Sequence, residues 1–176
     1  LGALDFDLRN NLADFVVADG HKWMLGPEGL ALFYARRELG DQLSLHQYGW
    51  HMVEHAGDFD RQEWKPATGA RRFECGSPNM LGIQALRASL AVIQTVGLAE
   101  IEERILDLTG EILVQVDSMG LELLSSRDAE RRSGIVTFRI PGLDQQRLHR
   151  ELMQLKVICA PRGGGIRFSP HYYLRR

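Results

Sequence analysis

The sequence predicts an α/β chain in two parts, and three observations carry that prediction. Short β-branched apolar runs, bounded by glycine and proline, stand near the start of the chain. Two long stretches with apolar residues at helical spacing occupy the middle, and strand-like and helix-like segments alternate from there on. The 176 residues suffice for one domain or two small ones with a real core. Composition shifts near residue 96, which predicts domains over 1–96 and 97–176.

Residues 15–18 (FVVA) are apolar, with β-branched Val16 and Val17 at their centre, which predicts a buried strand. The polar turn Asp19-Gly20-His21-Lys22 follows, then Trp23, Met24 and Leu25, then the break Gly26-Pro27-Glu28-Gly29. Residues 30–35 (LALFYA) predict a second strand and residues 36–43 a short helix. Residues 44–76 show no sustained period, and irregular segments of that length are often functional. Ser77-Pro78 predicts a helix start, with Ser77 as N-cap and Pro78 in the first position. Leu81, Ala85, Leu86, Leu90 and Ile93 continue at helical spacing until Gly97. Residues 98–119 predict a second helix with Ile101, Ile105, Leu108, Ile112, Val116 and Met119 on one face, stopped by Gly120. The last third predicts a small α+β unit. Its strands are 121–125, 134–140 (Ile135, Phe138 and Ile140 inward), 157–160 and 166–169, its helix is 143–155, and Arg162-Gly163-Gly164-Gly165 makes a tight loop.

Composition narrows the function. Hydrophobic residues at 44% and charged residues at 25% describe a soluble globular protein. A net charge of -2 supplies no bulk positive field for nucleic acid and no polybasic run for a membrane surface. The apolar runs are too short to span a bilayer. No basic segment of a signal peptide opens the chain, and its first residue is Leu1, so it reads as a processed or truncated piece. Cys75 and Cys159 form neither a disulfide framework nor a CxxC pair, which predicts a reducing, cytoplasmic setting. Of the 21 basic residues, 18 are arginine and three are lysine: Lys22, Lys65 and Lys156. An arginine cannot serve as an amine nucleophile at neutral pH, so amine chemistry has few possible seats.

Lys22 directly follows a predicted strand, in a loop with Gly20 and Gly26, and ligands of α/β proteins bind at strand ends. Partial burial there would lower its pKa and make it nucleophilic toward an aldehyde. By itself the segment also fits a solvated loop lysine. The whole stretch 13–34, ADFVVADGHKWMLGPEGLALFY, resembles the cofactor-lysine segment of the class V aminotransferases. That family of pyridoxal 5'-phosphate (PLP) enzymes includes cysteine desulfurases and isopenicillin N epimerase-like proteins. The matching residues are His21, Lys22, Gly26, Pro27, Gly29 and the strand through Tyr34. A second stretch, RRFECGSPNMLG, resembles the family's Phe-Glu-x-Gly-Thr-Pro-Asn at Phe73, Glu74, Gly76, Pro78 and Asn79, with Ser77 keeping the hydroxyl. A third, RGGGIRFSPHYY, resembles its Arg-x-Ser-x-x-x-Tyr region at Arg167, Ser169 and Tyr173, with Arg162 a second arginine nearby.

The resemblance implies the C-terminal half of a PLP fold-type I large domain followed by a small α+β domain. It implies PLP held as an imine on Lys22, with His21 and Ser77 among the cofactor-binding residues. Arg167 would then take the carboxylate of an amino-acid substrate, which a guanidinium fork suits. In the family the hydroxyl matching Ser77 reaches the cofactor of a neighbouring subunit, so a homodimer is implied. Residues 44–76, with Tyr48, Trp50, Phe59 and Trp64, would run along that interface. The acid that pairs the pyridine nitrogen, the ring-stacking residue and a glycine-rich phosphate turn lie upstream of the matched part of the family. Asp19, three residues before Lys22, reads as a turn former. No cysteine lies in residues 161–165, where a desulfurase carries its nucleophile, and Cys159 reads as structural. This favours the epimerase-like or aminotransferase-like branch. His46, His51 and His55 lack a metal-site pattern, and Gly163-Gly164-Gly165 is not followed by a P-loop lysine, so no metal is expected. The alternative is a non-catalytic fragment or accessory dimerisation domain with an incomplete site.

Overall fold

A computed structural model describes residues 1–175 and is mixed α/β. It divides into two units, Phe6–Ala91 and Leu1–Asp5 with Val92–Arg176. The division falls inside a helix, α2 below.

In the unit Phe6–Ala91, β1 (Phe15–Asp19) and β2 (Ala31–Ala35) form an antiparallel hairpin with Phe15 opposite Ala35 and Asp19 opposite Ala31. Both runs are strands, as their β-branched and aromatic content favours. The burial expected of residues 15–18 is not found: Phe15 and Val17 are exposed, and so are Leu32, Phe33 and Tyr34. A sheet of two strands has two free edges and two open faces, so apolar content alone does not hide it. The short α1 (Arg37–Gly40) follows. Residues 44–76 contain two short 3-10 turns, Trp50–Met52 and Gly69–Phe73, and an isolated antiparallel bridge between Val53 and Pro66.

The helix α2 (Met80–Val96) begins later than Ser77-Pro78 suggests. Its first turn is capped by Asn79, whose Oδ1 accepts a hydrogen bond from the Gly82 N–H at 2.9 Å. The cap is therefore Asn79 and not Ser77. Leu86 and Ile93 are buried as expected, but Leu81 is 84% exposed, because the first turn projects its outer side into solvent.

In the other unit, α3 (Leu98–Ser118) buries Ile101, Ile105, Leu108 and Val116, spaced as an amphipathic stripe, while Met119 lies past the helix end and is exposed. The chain then forms β3 (Glu122–Leu123), β4 (Val136–Arg139), α4 (Gln145–Gln154), β5 (Ala160–Arg162) and β6 (Gly165–Phe168). The strands make one antiparallel sheet in the order β3-β4-β6-β5. Val136, Phe138, Ile166 and Val116 form its core, with Leu148, Leu152 and Phe168 against it. The inward set on β4 is thus Val136 and Phe138, with Ile135 exposed. Residues two apart share a face, which Ile135 and Phe138 cannot do. The expected strand 157–160 is displaced to Ala160–Arg162. Lys156 takes a left-handed φ of 61° and the Val157 N–H donates to the Leu152 carbonyl at 2.9 Å, so these residues close α4 before extension can begin. The β5–β6 turn is Gly163-Gly164, with φ of 58° and 79°, the mirror-image turn that a two-residue hairpin requires.

Candidate active site

The turn that carries Lys22 is built by glycine. The Gly20 N–H donates to the Leu30 carbonyl at 2.9 Å, and the Gly26 N–H donates to the Gly20 carbonyl at 2.7 Å. The two bonds close residues 20–26 into a loop at the end of β1. A Cβ on Gly26 would stand 2.7 Å from Leu86 Cδ1 and 2.9 Å from the Gly20 oxygen, so this backbone lies against α2 with no room for a side chain. Met24, inside the loop, is buried and anchors it. Lys22 and His21 are held outward, and the Lys22 side chain is 63% exposed.

Lys22 Nζ donates to the Asp19 carboxylate across the turn. That hydrogen bond, with the Lys22 charge, holds the Asp19 carboxyl below the ordinary aspartate range. Asp19 is thus more than the turn former that its sequence position suggests. The available signal was the three-residue spacing, which brings two side chains together across a turn.

Ser77 is exposed and lies just outside α2, whose cap hydrogen bond belongs to Asn79. Leu86, against which the Lys22 loop packs, is six residues beyond Met80, or about 9 Å along the axis. One helix therefore supports both the Lys22 loop and the approach to Ser77. The N-terminal turn of a helix of 17 residues directs N–H groups and a partial positive charge toward that approach.

Arg167 lies in the other unit, on the central strand β6, opposite Thr137 of β4 and Ala160 of β5. It alternates with Ile166 and Phe168, which belong to the core, so it faces the other side of the sheet. Its Nε is buried and has no hydrogen-bond partner among the described residues. A buried charged donor without an acceptor is costly unless an anion reaches it. Arg162 is exposed and turns a guanidinium N–H onto the neighbouring Pro161 carbonyl at 2.9 Å. Cys159 is half-buried, and burial pushes its thiol up, away from thiolate reactivity. Among the described residues, no three His, Cys, Asp or Glu side chains gather as a metal-holding group, and no single helix is long and apolar enough to cross a membrane.

The family model for aminotransferase class-V matches residues 1–165. The uncharacterized aminotransferase YcbU of Bacillus subtilis is 29% identical over 174 residues, covering 98% of this chain and 44% of that protein. The kynureninase of Deinococcus radiodurans is 33% identical over 151 residues, covering 82% of this chain and 36% of that protein. Among solved structures, the apo cysteine desulfurase from Thermococcus onnurineus superposes with a TM-score of 0.87 at 25% identity, over 98% of this chain and 46% of that one. The chain spans less than half the length of each of these relatives.

Proposed function

The chain belongs to the aminotransferase class-V family, and on that premise we propose that it is the C-terminal portion of a pyridoxal-phosphate-dependent enzyme acting on an amino acid. The observation that carries this reading is Lys22: an outward amine at the end of β1, on a loop whose backbone glycine presses against α2. The residues present fit the cofactor. Lys22 offers a primary amine for its aldehyde, Ser77 offers a hydroxyl that is not used as a helix cap, and His21 flanks the amine.

Bound pyridoxal phosphate supplies an aldehyde for amines and a ring that draws electrons from the substrate Cα. Lys22 Nζ would hold the cofactor covalently and, when free, would carry the proton at the substrate Cα. Lys22 Nζ is engaged by the Asp19 carboxylate, so this contact must open before Nζ can meet the cofactor. The Ser77 hydroxyl and the N–H groups at the start of α2 bind the phosphate, in a partner subunit, so that a homodimer is the working form. Arg167 binds the substrate carboxylate through the fork that includes its unpartnered Nε. The acid that pairs the pyridine nitrogen is assigned to no residue of this chain. The half-buried Cys159 and the cysteine-free hairpin 161–165 favour transaminase-like or epimerase-like chemistry over desulfuration.

A specific observation supports the second reading, an incomplete site. The hairpin β1–β2 carries the Lys22 loop yet exposes apolar side chains, as a sheet does when strands are missing. On this reading the 176 residues alone turn over little or nothing. The test is the visible absorption of the covalently held cofactor in the full-length enzyme. Lys22→Ala abolishes it if the proposal holds, and an unchanged band refutes it. Subunit sharing is tested by co-refolding inactive Lys22→Ala and Ser77→Ala full-length subunits. Shared sites regain activity in mixed dimers, whereas separate sites stay inactive.

A further inference from the structure

Ser77 is placed by a backbone contact whose other half lies far from it in sequence. Gly49 packs on Cys75, two residues before Ser77. A Cβ at Gly49 would stand 2.0 Å from the Cys75 carbonyl oxygen, 2.8 Å from the carbonyl carbon and 3.3 Å from the Cys75 Cβ. Gly49 itself is extended, with φ of -175° and ψ of 170°, a conformation open to any residue. Glycine is therefore required here by space, not by backbone strain. The contact joins main chain to main chain inside one unit, so it does not depend on which side chains are exposed.

Hydrogen bonds hold the two stretches together. The His51 N–H donates to the Cys75 carbonyl at 3.3 Å, Arg71 Nε donates to the His51 carbonyl at 3.2 Å, and the Ala67 N–H donates to the Met52 carbonyl at 2.8 Å. Met52 is fully buried and fixes the turn that carries these groups. On the other side of Ser77, the Asn79 side chain caps α2, and the Ile83 N–H donates to the Asn79 carbonyl at 2.9 Å. Residues 76–78 thus span two fixed points, Cys75 on Gly49 and Asn79 on α2.

We propose that Gly49 is a positioning residue for the cofactor phosphate: it seats the Cys75 carbonyl so that the Ser77 hydroxyl and the N–H groups at the start of α2 converge on one phosphate. This inference rests on the reading of Ser77 as a phosphate-binding residue. A methyl group at Gly49 forces the Cys75 carbonyl back by about 1 Å, because a Cβ does not approach an oxygen inside 3.0 Å. The carbonyl is backbone, so the shift passes along the main chain. Asn79 cannot follow without losing its cap, so residues 76–78 absorb the shift and Ser77 moves. A misplacement of about 1 Å carries a hydroxyl out of hydrogen-bond range of a phosphate oxygen.

Pyridoxal has the aldehyde and ring of pyridoxal phosphate without the phosphate, and the two ligands separate positioning from stability. Each is titrated into full-length apoenzyme and followed by visible absorption. Gly49→Ala weakens pyridoxal phosphate about ten-fold or more, the loss of a hydrogen bond to a charged group, and leaves pyridoxal unchanged. Ser77→Ala shows the same loss of preference. Arg71→Lys keeps the charge and puts a methylene where Nε donates to the His51 carbonyl, so it loosens the seat without adding an atom at Gly49. It lowers the preference in the same direction by a smaller factor, and it carries the test if Gly49→Ala does not fold. If the variants at 49 and 71 weaken both ligands alike, or neither, while Ser77→Ala lowers the preference, the role of Gly49 is overturned and that of Ser77 stands. An unchanged preference in Ser77→Ala overturns the phosphate reading of Ser77 and this inference with it.

Discussion

Gly26→Ala tests whether the Lys22 loop is held by backbone contact with α2. The added methyl would lie 2.7 Å from Leu86 Cδ1 and 2.9 Å from the Gly20 oxygen, both well inside van der Waals contact. Leu86 is buried and can yield only by leaving its rotamer. The Gly20 oxygen is backbone and also accepts the Gly26 N–H at 2.7 Å, so relieving that contact stretches a hydrogen bond. Overpacking of this kind costs about 1–3 kcal/mol. Leu86→Ala alone costs about 2–5 kcal/mol from lost burial and the cavity left behind. In the double variant the new methyl enters the space that Leu86 vacates, so the combined loss falls short of the sum by more than about 0.5 kcal/mol, the usual limit of additivity. Rescue is partial, because the Gly20 contact remains. Urea unfolding followed by tryptophan emission reports this unit specifically, since Trp23, Trp50 and Trp64 all lie in Phe6–Ala91. Additive losses, or a Gly26→Ala variant as stable as the parent, would refute the packing argument.

The remaining predictions concern single side chains. Asn79→Ala lowers the stability of the same unit by about 1 kcal/mol through loss of the helix cap, while Ser77→Ala leaves urea stability unchanged; the opposite ranking would return the cap to Ser77. Arg167→Lys in the full-length enzyme keeps the charge and loses the fork, so kcat/KM for amino acids falls while the cofactor's absorption stays, and unchanged kinetics would exclude the role. The Asp19 carboxyl titrates below an ordinary aspartate because Lys22 donates to it, so its ion pair persists at neutral pH and is lost only as pH falls through that lowered value. Carbon-detected NMR titration should show the Asp19 midpoint rise in Lys22→Ala, and an unmoved midpoint would contradict the pairing.

Period and punctuation made much of this architecture legible. The stripe from Ile101 to Val116 announced α3 because 3.6-residue spacing survives any tertiary context, and Gly163-Gly164 announced a hairpin because few residues adopt its turn. The residues FVVA announced a strand but not its exposure, since propensity reports the backbone and burial depends on what else packs there. Ser77-Pro78 looked like a helix start, yet Asn79 also caps and sits closer to the first helical turn. The displacement of β5 came from a left-handed Lys156, a conformation that glycine or asparagine announces and lysine does not. At the site, Lys22 stood out because lysine is scarce in this chain. Asp19 did not, because its partner lies across a turn whose closure depends on Gly20, Gly26 and Leu86 together.

The assignment of Lys22 as the cofactor amine is tested most directly by borohydride reduction of the cofactor-loaded full-length enzyme, followed by peptide mapping. The account predicts one modified peptide of this region, the one containing Lys22. A label on Lys65 or Lys156 with Lys22 unmodified would contradict it.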